Sequence, residues 1–247
     1  MTRRSREAGY IKACLMGAAF VAALAFPAQA QDKKLTLSGT AALTTDYIFR
    51  GVSNTDENPA VQASFDAGYG IFYAGVWGSN TRLSPDDIEI DYYIGLKPVW
   101  KSITFDFGAL YYTFPGSNDF DYLELKAGVA WTGGNWTLGA VNYWSPDNFG
   151  LGVDSNATEG AVGYTFGSKL FNFFSPSISG LIGYQSYEAI VPEYTYWNAG
   201  LTLGFMERWS AEIRYWDTNY TDDECFTNSG GFGNCDERVV GTIKATF

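Results

Sequence analysis

Residues 239–247 alternate in side-chain character up to the last position. Val239, Gly241, Ile243, Ala245 and Phe247 form one row, and Val240, Thr242, Lys244 and Thr246 form the other. Successive side chains of a strand face opposite ways, so the segment presents one apolar or small face and one mostly polar face. A water-soluble sheet buries such an apolar row and seldom needs an aromatic at its very end. A strand that crosses a bilayer turns that row to lipid and sets aromatics at the interface. The segment therefore asks whether the rest of the chain supplies a transmembrane barrel.

The opposite end reads as a secretory signal. Arg3, Arg4, Arg6 and Lys12 form a basic lead-in, residues 13–26 are apolar, and Ala28-Gln29-Ala30 is a small-residue cleavage site. Residues 1–30 are thus expected to be a signal peptide, with the mature protein beginning at Gln31. The apolar run falls short of the roughly 18 residues a spanning helix needs, and no later segment approaches that length. Cys14 lies within the signal and the residue directly after the cleavage site is Gln31 rather than a cysteine, which argues against a lipoprotein anchor. Residues 31–247 show no linker or composition break and are expected to form one all-β domain.

Charge narrows the partners. Four of the 16 Lys and Arg and one of the 27 Asp and Glu fall in the signal, which leaves 12 against 26 and a net charge of −14. Nucleic acid and anionic membrane surfaces are poor partners for such a chain. Aromatics make up 17% of the residues, yet mean hydropathy is only −0.11, as alternating lipid-facing and lumen-facing side chains would give.

The alternation recurs along the chain. Ile88, Ile90, Tyr92, Ile94 and Leu96 interleave with Glu89, Asp91, Tyr93, Gly95 and Lys97; Leu123, Leu125, Ala127 and Val129 interleave with Tyr122, Glu124, Lys126 and Gly128. A period of two is a strand period. Cutting at Gly, Pro, Asn and Asp clusters predicts twelve antiparallel strands, roughly 35–50, 58–69, 71–80, 86–98, 101–114, 120–132, 135–145, 156–167, 176–188, 193–205, 208–219 and 237–247. Connections at 69–71, 99–101, 132–134 and 206–207 are tight, whereas 51–57, 81–85, 146–155 and 220–236 are longer. Short periplasmic turns opposite longer external loops are the mark of an outer-membrane barrel, with 168–175 and 189–192 as exceptions to the rhythm. Trp100, Trp131, Trp136, Phe166, Phe205, Trp209 and Phe247 fall beside the short turns, where an aromatic girdle belongs. A soluble sandwich or ligand-binding barrel alternates too, but its second face would meet water. Here that face carries Gly68, Gly95, Gly108, Gly128 and Ala130, small residues that suit a crowded lumen.

Several blocks occur in order in the first third of the mature chain. They are Ala42-Leu43-Thr44-Thr45-Asp46-Tyr47-Ile48-Phe49-Arg50-Gly51-Val52-Ser53, Pro59-Ala60-Val61-Gln62, Phe72-Tyr73-Ala74-Gly75-Val76-Trp77-Gly78-Ser79-Asn80, and Glu89-Ile90-Asp91 with Tyr92 and Tyr93. Together they resemble the TorF family of porin-type proteins. The resemblance implies an outer-membrane barrel and a porin-like role, and brings no catalytic or binding residue with it.

The chain has no histidine. A Ser-His triad and the usual zinc sites are therefore excluded, and no phosphate-binding glycine motif is present. No enzyme activity, cofactor or metal is expected. Glu89 and Asp91, two apart on one strand face, are read as lumen wall rather than as an acid/base pair. Cys225 and Cys235 lie in the longest external loop and are expected to form a disulfide, as an oxidising compartment favours. Their neighbours Asp222, Asp223, Glu224, Asp236 and Glu237 read as a solvated acidic loop, with weak divalent-cation binding as the alternative.

The expectation is an outer-membrane, porin-like channel for passive diffusion of small hydrophilic solutes, in contact with outer-membrane lipid and lipopolysaccharide. Asp46, Arg50, Glu89, Asp91, Asp106, Glu124, Lys126, Glu212, Arg214 and Lys244 are its candidate pore-lining residues. Barrels of about eight strands are filled by side chains and those of about sixteen hold open water, so twelve strands leave a narrow passage that paired charges can close. The competing expectation is a non-conducting structural or surface-interaction barrel. Asp56, Glu57, Asp86, Asp87, Asp119, Asp147, Asp154, Glu188, Glu193 and the acidic residues of the long loop face only Arg82 and Arg238 at the external end, which predicts cation preference.

Overall fold

The computed structural model describes residues 34–82, 87–188, 192–229 and 233–247. The expected signal over residues 1–30 lies outside the described residues. Among the described residues twelve long strands follow one another: β1 Leu35–Thr44, β2 Ala60–Tyr69, β3 Phe72–Asn80, β4 Ile88–Leu96, β5 Ile103–Thr113, β6 Tyr122–Gly133, β7 Trp136–Ser145, β8 Ser155–Thr165, β9 Ser175–Tyr187, β10 Tyr194–Phe205, β11 Trp209–Thr218 and β12 Arg238–Thr246. Each pairs antiparallel with the next. β12 returns to β1, with Ala245 opposite Ala41 and Ile243 opposite Leu43. The sheet is thereby a closed barrel, and closure removes the unpaired edge that hydrocarbon would not tolerate.

The register sorts the side chains as the alternation predicts. Val61, Phe65, Ile94, Leu138, Ile182, Ile213 and Val239 are exposed on the outside, whereas Glu89, Asp91, Asp106, Glu124, Gln185, Asn198 and Arg214 are buried on the inside. A protein folding in water does the reverse, so this exterior calls for a hydrocarbon solvent. Trp100, Trp131, Trp136, Phe166, Trp209 and Phe247 are exposed at the short-turn end. Phe205 is half-buried there because Phe173 and Phe174 of the 168–175 connection pack on its ring. Small inward residues leave room for large ones: Tyr73 lies across Gly95 and Gly108, and a Cβ on Gly108 would stand 2.6 Å from the Tyr73 hydroxyl oxygen.

Two elements differ from expectation. The first strand, predicted to run to residue 50, stops at Thr44. Residues 46–58 leave the wall and turn into the lumen, pairing Ile48 with Ser53 and Phe49 with Val52 in a short hairpin of their own. The long external loop also contains a helix, α1 Asp222–Ser229. A capping box starts it: Thr221 N–H donates to Glu224 Oε2 at 2.9 Å, and Glu224 N–H to Thr221 Oγ1 at 3.4 Å.

Candidate functional site

The inward hairpin makes the site. Its tip is Arg50-Gly51, with φ of 49° and 86°, the left-handed pair that a two-residue hairpin turn requires. Glycine is needed second for space as well. A Cβ on Gly51 would lie 2.6 Å from Thr218 Cγ2 on β11 and 2.8 Å from Tyr196 Cβ on β10. A hairpin rooted between β1 and β2 therefore packs on the wall two and three strands round from β1.

Arg50 fastens the tip. Its Nη1 and Nη2 donate to Glu124 Oε1 and Oε2 of β6 at 2.8 and 2.9 Å, and Nη1 also donates to Gln185 Oε1 of β9 at 3.1 Å. The guanidinium carbon sits 4.7 Å from the Phe49 ring centre and 4.8 Å from that of Tyr143 on β7. Burial pulls the affinity of Arg50 for its proton down, the Glu124 carboxylate pulls it up, and the balance lies well above the ordinary arginine value. Tyr112 completes the shell of Glu124, donating to Oε2 at 2.9 Å. Two-point pairing of this kind fixes direction as well as charge.

The hairpin base is fastened by a second arginine. Asp46 Oδ1 accepts from the Ser53 and Thr55 hydroxyls, both at 2.7 Å, and Asp46 Oδ2 accepts from Arg238 Nη1 at 3.0 Å. The long loop grips the other side: Ser53 N–H donates to Asn234 O at 2.8 Å, and Thr218 Oγ1 to Cys235 O at 3.0 Å. Cys225 and Cys235 are joined in a disulfide. Both pack with Val52, Tyr194 and Tyr196 in a buried apolar cluster. Such a bridge stabilises its loop by about 2–3 kcal/mol in the chain-entropy account. Protein carrying Cys225→Ser and Cys235→Ser is expected to be cut faster by protease within residues 219–237 while its barrel survives unheated gel electrophoresis. Equal cleavage rates would show that the bridge does not restrain this loop.

Below the hairpin the wall carries two further polar groups. On one side Lys126 Nζ lies 2.9 Å and Lys97 Nζ 3.6 Å from Asp106 Oδ2, Tyr73 donates to Asp106 Oδ1 at 2.8 Å, and Tyr93 donates to Asp66. On the other, Arg214 donates to both Glu212 oxygens at 2.9 Å, to Ser179 Oγ at 2.8 Å and to Asn198 Oδ1 at 2.5 Å.

The ten candidate pore-lining residues all turn inward, but they do not form one ring. Glu124 and Arg50 meet at the hairpin tip, Asp46 lies at its base, Asp106 and Lys126 form one lower group, and Glu212 and Arg214 the other. Lys244 is half-buried on the inward row of β12 beside Ser210. Glu89 and Asp91 lie on β4, with Tyr47 of the hairpin donating to Glu89 Oε1 at 3.1 Å. Asp46 and Arg50 arrive from the hairpin, not from a strand as expected, because β1 ends at Thr44. The candidate residues omit the inward tyrosines Tyr73, Tyr112, Tyr143, Tyr194 and Tyr196, the buried Glu159, and Tyr122, which the alternation sets on the row of Glu124. The strand period would have placed Glu159 and Tyr143 on the inner row once Ser145 was set opposite Ser155.

The sequence model of a family described as bacterial protein of unknown function (Gcw_chp) matches residues 28–247. No curated protein matches the sequence. Among solved structures the chain is similar to a KdgM porin, with 7% identity, 85% of this chain and 99% of that one covered, and a TM-score of 0.58. It is similar to a NanC porin with 10% identity, coverage of 86% and 99%, and a TM-score of 0.53. A KdgM porin in complex with disordered oligogalacturonate shares 6% identity, with 85% and 98% covered and a TM-score of 0.52. Identities this low establish a shared porin-type barrel and nothing finer.

Proposed function

We propose that this chain, which belongs to the Gcw_chp family of bacterial proteins, is an outer-membrane channel for passive diffusion of small hydrophilic solutes. The observation that carries the reading is the inverted distribution of side chains, with charged and hydroxylated residues buried along the inside of a closed barrel whose outside is apolar. A wall of that kind offers polar solutes hydrogen bonds in place of water. The resemblance to TorF porin-type proteins and the barrel shared with KdgM and NanC porins support the same reading. A secretory signal cleaved near Ala30 would deliver the chain to the outer membrane, where lipid and lipopolysaccharide surround it. Residues 46–58 occupy part of the lumen and narrow the passage, which favours small solutes. Purified protein in planar bilayers is expected to give discrete conductance steps, and permanent silence under all applied voltages would defeat the proposal.

A second reading is favoured by one observation, the hairpin that crosses the lumen from β1 to Glu124 of β6 and Tyr143 of β7. Fixed in that position, it would make a non-conducting barrel serving as a structural or surface-interaction element. The bilayer experiment separates the two.

The exposed external carboxylates, among them Asp56, Glu57, Asp119, Asp147, Glu188, Asp222 and Asp236, support a cation preference. Arg238, one of the few opposing charges, is turned inward to Asp46. A mouth of one sign concentrates the opposite ion, and screening shortens from about 30 Å at 0.01 M salt to about 3 Å at 1 M. Reversal potentials under a KCl gradient are expected to favour K⁺ at low salt and to lose most of that bias at high salt. Anion preference, or none at low salt, would refute the steering.

A further inference from the structure

Four carboxylates inside the barrel are each paired with a cation, Asp66 and Glu159 each take a tyrosine hydroxyl instead, with Glu159 Oε2 left over, and two more carboxylates stand together on one row. Asp46 has Arg238, Asp106 has Lys126, Glu124 has Arg50, and Glu212 has Arg214. Glu89 and Asp91 have no cation: among the described residues no lysine or arginine forms an ion pair with either. The two are buried side by side on the inner row of β4, at 2% and 8% exposure. Glu89 Oε2 and Asp91 Oδ1 accept no hydrogen bond, and neither does the buried Thr81 Oγ1 just beyond the end of β3 make one. The hairpin covers the pair, with Tyr47 holding Glu89 Oε1. Its one cation in reach of a carboxylate wall, Arg50, is committed to Glu124 and Gln185. Carboxylate oxygens out of bulk water with nothing to accept from are costly unless a proton or a cation fills the place, and a cation relieves both carboxylates at once.

We propose that Glu89 Oε2 and Asp91 Oδ1 bind a hard divalent cation of the calcium type, with water completing its shell. The donors are all oxygens, which suits a hard ion and no softer metal. Two carboxylates balance two charges. A calcium-type ion takes about six to eight oxygens, so most of its ligands here are water and the affinity belongs in the weak range of about 10⁻⁴–10⁻³ M. The remaining charged and titratable groups facing the pair are Tyr47, Tyr93, Tyr112, Tyr122 and Glu124 with Arg50, none of which offers a competing free cation. Tyr47 is a positioning residue: its hydroxyl turns Glu89 so that Oε2 is the free oxygen. The placement deepens the channel reading and rests on it for its consequence, since an ion held there lies against the hairpin that occupies the lumen. Binding itself does not depend on conduction.

The test uses the full mature protein in detergent, with folding checked by unheated gel migration. Calorimetric titration with CaCl₂ is expected to show a saturable component that Glu89→Gln with Asp91→Asn abolishes while signal from the exposed loops persists. Tyr47→Phe, which keeps both carboxylates, is expected to weaken that component about 10-fold, as loss of a partner that orients a ligand does. Trp77 stands 5.3 Å from Tyr47 between ring centres, so Tb³⁺ bound at the site is expected to be sensitised through it, and Trp77→Phe should dim that emission. Identical calcium isotherms for wild type and the double variant would overturn the proposal, as would displacement of Ca²⁺ by an equal concentration of KCl. Should the double variant not fold, Glu89→Gln alone and Tyr47→Phe decide by the same readout, and unchanged affinity in both would overturn it. A silent barrel with the calcium component intact would defeat the channel and leave the site standing, and a conducting barrel without that component would do the opposite.

Discussion

Replacing Arg50 with alanine is expected to release the inward hairpin and enlarge the conductance step. Glu124 would keep one donor, Tyr112, and would otherwise be stranded at 1% exposure. Removing one partner of a buried ion pair costs about 3–5 kcal/mol because the charge left behind is uncompensated. The cost falls on the docked hairpin rather than on the wall, since β6 keeps its ladder to β5 and β7 whatever Arg50 does. At about 1.4 kcal/mol for each factor of ten, that is a shift of more than a hundredfold toward hairpin conformations that let water reach Glu124. Arg50→Lys keeps the charge and loses the two-point contact, so it should fall between. Single-channel recordings of the three proteins check this. Steps of equal size would mean that Arg50 does not hold the constriction.

Why this site was only half legible in the sequence follows from the physics of its parts. The wall was legible because burial on one face of a strand imposes a period of two, and a one-residue slip would carry Glu89, Asp91, Glu124 and Arg214 into lipid. The same period makes the eight inward residues carried by strands predictable without any knowledge of their partners. The hairpin obeys no such period. Residues 45–50 read as a continuation of β1 because Tyr47 and Phe49 are good strand formers, and what ends the strand is tertiary: Asp46 is drawn off by Arg238, 192 residues later. Arg50-Gly51 was the available local signal, since a glycine following a polar residue between two short apolar pairs is a turn composition. The helix in the long loop had a signal too, in Thr221 and Glu224 spaced as a capping box, but a count of acidic residues there points to a solvated coil. The pairing of charges across the lumen could not be read at all, because which carboxylate an arginine reaches depends on barrel diameter and side-chain reach rather than on sequence spacing.

The same inside-out logic sets the other large effect. Ile213 is 56% exposed at the middle of β11, between Leu201 and Gly241 on the neighbouring strands. In water, a charged residue at so open a position changes stability by no more than about 0.5 kcal/mol. Facing the middle of a bilayer it costs about 2–4 kcal/mol, because the guanidinium must be hydrated inside hydrocarbon. Ile213→Arg is therefore expected to shift the urea midpoint for folding into lipid vesicles far below that of wild type, with Ile213→Leu as the volume-matched control. Folded and unfolded fractions are read from their different migration on unheated gels, which a closed barrel permits because it has no free edge from which to unravel. The experiment also weighs the two readings of function against a third. A barrel whose exterior tolerates arginine at Ile213 as well as leucine would be a water-soluble one, its apolar outside would need a protein partner, and neither a channel nor a non-conducting outer-membrane barrel would remain. A loss of about 2 kcal/mol or more at this one position, with the Arg50 variants left folded, would place the wall in lipid and leave the hairpin alone to decide whether the lumen conducts.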